Sequence, residues 1–229
     1  MKIGGIQKLT LLDYPGKVAC TVFTVGCNFR CPFCHNASLV THTEDAQDLS
    51  REDVLSFLKK RKGIIEGVCV TGGEPLVWAE TADLLREIKA MGYSVKLDTN
   101  GSFPDRLSEI MDAGLADYIA MDIKSSPRGY SLAAGSENAL ESVRKSVLLL
   151  LNGKIPFEFR TTVVRGLHTP DDIEDIAQWI GGAERYYLQG FRDSGDLIGS
   201  GLAAFTPEEM TELLSAARKY LPITEIRGE

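Results

Sequence analysis

Two periods of hydrophobicity alternate from residue 50 to the end of the chain. Val54, Leu55 and Leu58 form an apolar stripe behind Ser50, which caps a helix with Asp53 in its first turn. Residues 67–71 then run apolar, the mark of a short buried strand. Leu84, Leu85, Ile88 and Met91 return to helical spacing, and Gly92 is a fitting stop. Residues 94–98 and 118–122 read as strands, with a helix over about residues 105–112 between them that ends near Gly114. Leu140, Val143, Val147 and Leu151 mark a further helix, closed by Asn152 and Gly153. Residues 157–164 alternate and are rich in β-branched side chains, as a strand should be. Thr169 and Pro170 supply a cap and an N1 proline ahead of Ile173, Ile176, Ala177 and Ile180. Residues 185–189 form another strand. Thr206, Pro207, Glu208 and Glu209 make a capping box for a last helix that buries Met210, Leu213, Leu214 and Ala217. Residues 223–226 suit a final edge strand.

The chain opens differently. Residues 6–13 and 18–25 are β-rich and flank Tyr14, Pro15, Gly16 and Lys17, where proline followed by glycine fits a type II turn. This predicts a hairpin whose second strand leads into residues 27–36. Residues 41–48 are polar and aperiodic, a surface stretch. Six strands joined by helices of crossover length imply right-handed βαβ units and a parallel sheet. Eight units close a full barrel. Six therefore predict an open partial (β/α)6 barrel, with a flat doubly wound sheet as the alternative. Ligands should gather at the C-terminal strand ends in either case.

Composition narrows the class. The 229 residues suit one substantial core, and no linker or repeat divides them, so residues 1–229 are expected to form one domain. The net charge of −7 comes without a basic block, which leaves no footprint for nucleic acid or anionic lipid as a partner. There is no apolar run of about 18 residues to span a membrane, and residues 1–5 lack a secretory signal pattern, so a cytoplasmic protein is expected. Three of the five cysteines cluster at metal-ligand spacing, which argues against a disulfide framework. Cys20 and Cys69 fall within strands and read as small buried hydrophobes.

The candidate chemistry sits at the strand ends. Cys27, Cys31 and Cys34 follow the first parallel strand, and three thiols in eight residues can turn toward an iron-sulfur cluster or a zinc ion. A closed site needs a fourth ligand, for which His35, His42 and Cys20 are the nearest candidates; without one, a metal is left open to a substrate or cofactor. Three cysteines that merely lie close together are the plainer reading. The second strand ends in Gly72, Gly73 and Glu74, where two residues without β-carbons let a ligand approach and a carboxylate can meet an ammonium group; an ordinary turn explains the glycines as well. Asp98, Thr99 and Asn100 end the third strand, and Asp122 and Lys124 the fourth. Arg160 is a charge in an apolar strand, placed either to meet an anion or to face solvent. Gln189, Gly190, Phe191 and Arg192 end the sixth strand. His35, His42 and His168 read as loop residues.

The cysteine triplet, with Phe33 before its last member, and Gly72-Gly73-Glu74 together resemble the radical S-adenosylmethionine enzymes. That resemblance implies a [4Fe-4S] cluster on Cys27, Cys31 and Cys34, its open iron chelating S-adenosylmethionine. It also implies cofactor contacts from Phe33, Gly72, Gly73, Glu74, Asp98, Asn100, Arg160 and Gln189. Residues 98–101 and 121–124 are similar to segments of glycyl-radical-enzyme activases such as the pyruvate formate-lyase activating enzyme, and residues 11–17 with 26–36 most resemble the anaerobic ribonucleoside-triphosphate reductase activating proteins. In such activases the positions matching Asp98, Thr99 and Asp122 hold a monovalent cation, Na+ or K+. The likeness further implies residues 1–17 as a hairpin arm, 18–229 as the partial barrel, and a single cluster, since no ferredoxin-like insert follows the first motif. A glycyl-radical enzyme would be the protein substrate and reduced flavodoxin or ferredoxin the electron donor. The alternatives are a radical enzyme acting on a small molecule, like the 7-carboxy-7-deazaguanine synthases, and a non-catalytic metal or electron-transfer module.

Overall fold

The computed structural model describes every residue except 45, 47, 194 and 229, so part of the polar stretch 41–48 lies outside the described residues. The chain falls into two compact units.

The first unit comprises residues 1–28, 38–99 and 103–119. Its first strands, β1 (Ile3–Thr10) and β2 (Ala19–Thr24), pair antiparallel, with Ile6 opposite Val22. The turn before β2 closes as the sequence requires: Lys17 N–H donates to the Tyr14 carbonyl at 3.2 Å, and Gly16 takes the positive φ of 71°. A five-residue helix, α1 (Ala37–Thr41), precedes α2 (Arg51–Lys60), whose Ser50 cap and Asp53 satisfy each other's backbone N–H groups. β3 (Gly67–Gly72) pairs parallel with β2, and Pro75–Val77 then form one turn of 3₁₀ helix. After α3 (Thr81–Ala90), β4 (Ser94–Thr99) pairs parallel with β3. α4 (Pro104–Asp112) leads to β5 (Tyr118–Asp122), whose first two residues belong to this unit. Val68, Val70, Val95 and Leu97 are wholly buried on β3 and β4, as are Leu84, Leu85 and Ile88 on α3. Each such side chain contributes about 1.5–3 kcal/mol through burial.

The second unit comprises residues 29–37, 100–102 and 120–229. Here α5 (Tyr130–Ala134) and α6 (Ala139–Asn152) precede β6 (Phe157–Val163), α7 (Pro170–Trp179) and β7 (Tyr186–Gly190). α8 (Pro207–Arg218) returns the chain to β8 (Glu225–Arg227). β6 pairs parallel with β7, and β7 with β8 through Tyr187 opposite Glu225. The last segment is therefore a parallel strand reached through its own helix, the final edge strand expected at residues 223–226 and here ending one residue later. Within each unit the paired strands follow one another in chain order. The α/β class with a parallel sheet stands as expected.

Candidate active site at the strand ends

In the first unit the end of β3 is packed onto the segment that carries Cys27. Gly73 N–H donates to the Thr24 carbonyl at 2.9 Å, and Glu74 N–H to the Gly26 carbonyl at 2.8 Å. A β-carbon on Gly72, at φ 120°, would lie 2.3 Å from the Thr24 oxygen, and one on Gly73 would lie 2.1 Å from the Gly26 oxygen. Both glycines are thus demanded by the approach of two backbones. Trp78 braces the same segment, its Nε1 donating to the Val25 carbonyl at 2.7 Å.

Glu74 is fully buried. Its Oε1 accepts from Leu76 N–H at 3.0 Å, capping the 3₁₀ turn, and from the Thr99 hydroxyl at 2.8 Å. The oxygen that the sequence offered to a ligand's ammonium is committed to the protein. Asp98 lies beside Lys96, two positions earlier on the same face of β4. Lys96 is 1 % exposed and forms an ion pair with Asp98 Oδ1, while the Cys69 thiol donates to the same oxygen at 3.6 Å.

In the second unit, Asn100 accepts at Oδ1 from Ser102 N–H at 2.9 Å and from the Ser102 hydroxyl at 2.5 Å, so this oxygen shapes a turn. The cysteine loop is docked on α5: Arg30 N–H donates to the Ala134 carbonyl at 2.9 Å, and the Cys31 thiol to the same carbonyl at 3.7 Å. Cys34 N–H closes back on the Cys31 carbonyl at 3.1 Å, and Gly199 N–H donates to the Pro32 carbonyl at 2.7 Å. Phe33 is buried edge-on to His168, with ring centroids 6.1 Å apart. Burial pushes the Cys31 thiol up to about 11, partly offset by the Lys124 charge.

Asp122 accepts from Arg160 Nε at 2.9 Å on Oδ1 and from Lys124 Nζ at 3.0 Å on Oδ2. Burial alone would raise its pKa, but the Arg160 and Lys124 charges outweigh it and hold the carboxyl well below the usual range. Burial likewise opposes the charge on Lys124, and Asp122 more than restores it. Arg160 therefore meets an anion, Asp122, and is not turned to solvent. His168 is buried within its loop. Its Nδ1 accepts from Val164 N–H at 3.0 Å and its Nε2 lies 2.8 Å from the Lys124 carbonyl, which fixes the proton on Nε2; burial lowers its pKa.

Gln189 lines a cavity of about 350 Å3 with His35, Thr162, Arg192 and Arg227. His35 stacks on Phe191 at 5.7 Å, Arg192 donates to the Gly228 carbonyl at 3.1 Å, and Arg227 is held by both carboxylate oxygens of Glu158 at 2.8 and 3.1 Å. The sequence reading missed this cavity and Lys96. Arg227 closes a strand of three residues, too short to show alternation, and a lysine within a strand ordinarily reads as solvent-facing.

The donor set suits an iron-sulfur cluster. None of the five cysteines is in a disulfide; Cys31 is buried, and Cys27 and Cys34 are half-buried. Tyr130, one turn before the Ala134 carbonyl that receives the Cys31 thiol, is wholly buried with a hydroxyl lacking a partner at hydrogen-bonding geometry. Among the described residues no three His, Cys, Asp or Glu are grouped closely enough for a single ion. No helix among the described residues is long and apolar enough to cross a membrane.

Residues 21–180 match the family described as the Radical SAM superfamily. The chain is 29 % identical over 235 residues to a Methanocaldococcus jannaschii protein provisionally named a glycyl-radical enzyme activating enzyme, covering 98 % of this chain and 95 % of that one. It is 31 % identical over 128 residues to the pyruvate formate-lyase-activating enzyme of Clostridium pasteurianum, covering 54 % of this chain and 52 % of the other. Streptococcus suis SuiB has a similar fold, with a TM-score of 0.73 at 12 % identity over 91 % of this chain and 48 % of its own; its S-adenosylmethionine-bound form gives 0.70. The chain spans about half the length of the last two proteins.

Proposed function

Because the chain belongs to the radical SAM superfamily, whose members use a [4Fe-4S] cluster and S-adenosylmethionine, we propose that it is a glycyl-radical-enzyme activase whose partner is an anaerobic ribonucleoside-triphosphate reductase. Held by Cys27, Cys31 and Cys34, the cluster would supply one-electron chemistry for the reductive cleavage of S-adenosylmethionine, and that chemistry would serve the removal of a hydrogen atom from a glycine of the partner. Reduced flavodoxin or ferredoxin delivers the electron. In this reading residues 18–229 are the catalytic domain and 1–17 its hairpin arm.

The chain's own residues hold and orient. Cys27, Cys31 and Cys34 ligate the cluster. Gly72 and Gly73 present backbone to the cofactor's methionyl group, and Glu74 fixes that backbone by capping the turn behind it. Asp98 and Asn100, Phe33, Arg160 and Gln189 line the cofactor's surroundings. The observation that carries the reading is the seating of Gly73 and Glu74 on Thr24 and Gly26, the segment that delivers Cys27. It ties the Gly72-Gly73-Glu74 turn to the start of the cysteine loop. The likeness to the M. jannaschii protein, which runs nearly end to end, supports the choice of an activase.

The test is electron paramagnetic resonance. Anaerobically reconstituted protein, S-adenosylmethionine, a reductant and the reductase should together give a glycyl-radical signal that is absent when the reductase glycine is replaced by alanine. No signal with the reductase, but one with another glycyl-radical enzyme, would reassign the partner.

A further inference from the structure

Asp98, Thr99 and Asp122, the positions at which the family resemblance suggested a bound Na+ or K+, are engaged by other groups in this chain. Asp98 Oδ1 carries the ammonium of Lys96, which is 1 % exposed, and whose Nζ also lies 3.9 Å from Cys69 Sγ. The register of β3 and β4 sets Cys69 directly beside Lys96, so strand pairing fixes the ammonium's place. The Thr99 hydroxyl directs its hydrogen to Glu74. Asp122 meets a cation at each oxygen, Arg160 at one and Lys124 at the other.

An ammonium group has the charge of a potassium ion and a similar radius. A second cation at Asp98 would face an immobile like charge in a poorly solvated place, which disfavours it strongly. We propose that Lys96 is the resident counter-ion of Asp98, occupying the place of a monovalent metal, so that the protein works without Na+ or K+. Lys96 is a positioning residue in this account: it holds Asp98 and touches neither cofactor nor substrate. The proposal rests on the reading of Asp98 as part of the cofactor site, but its first test reads cation binding alone.

Thallium(I) is the probe, observed by its nuclear magnetic resonance in the cluster-loaded protein at constant ionic strength kept with choline chloride. The wild-type protein should show no thallium site. The Lys96→Gln variant should gain one that potassium displaces, and its affinity for S-adenosylmethionine should fall by about tenfold in choline chloride and recover in potassium or ammonium chloride. A stoichiometric thallium site in the wild type overturns the proposal. So does a folded Lys96→Gln protein that binds no thallium. Should the variant fail to fold, the wild-type titration still decides. If the wild type binds neither thallium nor S-adenosylmethionine, the counter-ion assignment stands while the enzymatic reading falls.

Discussion

Gly73 and Gly26 are in backbone contact: a β-carbon on Gly73 would come within 2.1 Å of the Gly26 carbonyl oxygen, and Glu74, the next residue, hydrogen-bonds to that same oxygen. The obstacle is backbone, which cannot rotate away as a side chain would. Gly73→Ala should therefore displace the segment leading into Cys27, costing ~1–3 kcal/mol. Chemical denaturation should show the loss, and iron bound per chain after anaerobic reconstitution should fall with it. An unchanged unfolding midpoint and full iron loading would show that the contact is dispensable.

Glu74 separates shape from charge. Glu74→Gln keeps an oxygen able to cap Leu76 and accept from Thr99, whereas Glu74→Ala leaves both donors unmet. The alanine variant should lose about 1–2 kcal/mol, the size of a lost cap, and the glutamine variant clearly less. Thermal melts in the presence and absence of S-adenosylmethionine check this. If the glutamine variant is as stable as the wild type but binds the cofactor more weakly, the carboxylate acts on the ligand by its charge.

The parts of the fold that the sequence made legible are those with repeated local signals. Ser50, Thr169 and Thr206 each read as a helix cap, and in the structure each closes a capping box. α1, α5 and the turn at Pro75–Val77 are five residues or fewer and offer no second apolar repeat to reveal a helical period. The cysteines and Gly72-Gly73 could be singled out because their residue types are unusual at that spacing. Lys96 could not. Strand alternation assigns it to solvent, and only the pairing of β3 with β4, with Asp98 two positions on, provides partners for a buried ammonium. Glu74 was legible as important but not as buried, because its partner Thr99 lies 25 residues away.

Acid should weaken the protein partly through Asp122. Its folded-state pKa is depressed, whereas an unfolded aspartate titrates near ~3.9, so its contribution is present above about pH 4 and is lost as pH falls toward the folded value. Arg160→Met should cost ~1–3 kcal/mol near neutrality, the size of a charged hydrogen bond, because Lys124 remains paired. The difference from wild type should narrow on acidification below pH 4. Urea titrations across that range measure it, and a constant difference at every pH would remove Asp122 from the account.

The cysteine loop depends on α5. Gly135 follows that helix at φ 59°, and a β-carbon there would lie 2.3 Å from the Arg30 carbonyl oxygen. Gly135→Ala should loosen the Arg30 and Cys31 contacts to Ala134 and reduce iron bound per chain, with a changed spectrum of the reduced cluster. Iron analysis and low-temperature electron paramagnetic resonance report both, and a wild-type spectrum at full loading would refute the dependence.

Hydrogen abstraction from a glycine of a partner protein can be followed by isotope transfer. Anaerobic reductase labelled with α-deuterated glycine is incubated with the reduced protein and S-adenosylmethionine, and the 5′-deoxyadenosine formed is weighed by mass spectrometry. The product should carry one deuterium, and the Cys31→Ala variant should form none. Unlabelled 5′-deoxyadenosine at the same yield with and without the reductase, or a purified protein that holds zinc and no iron, would contradict abstraction from the partner's glycine.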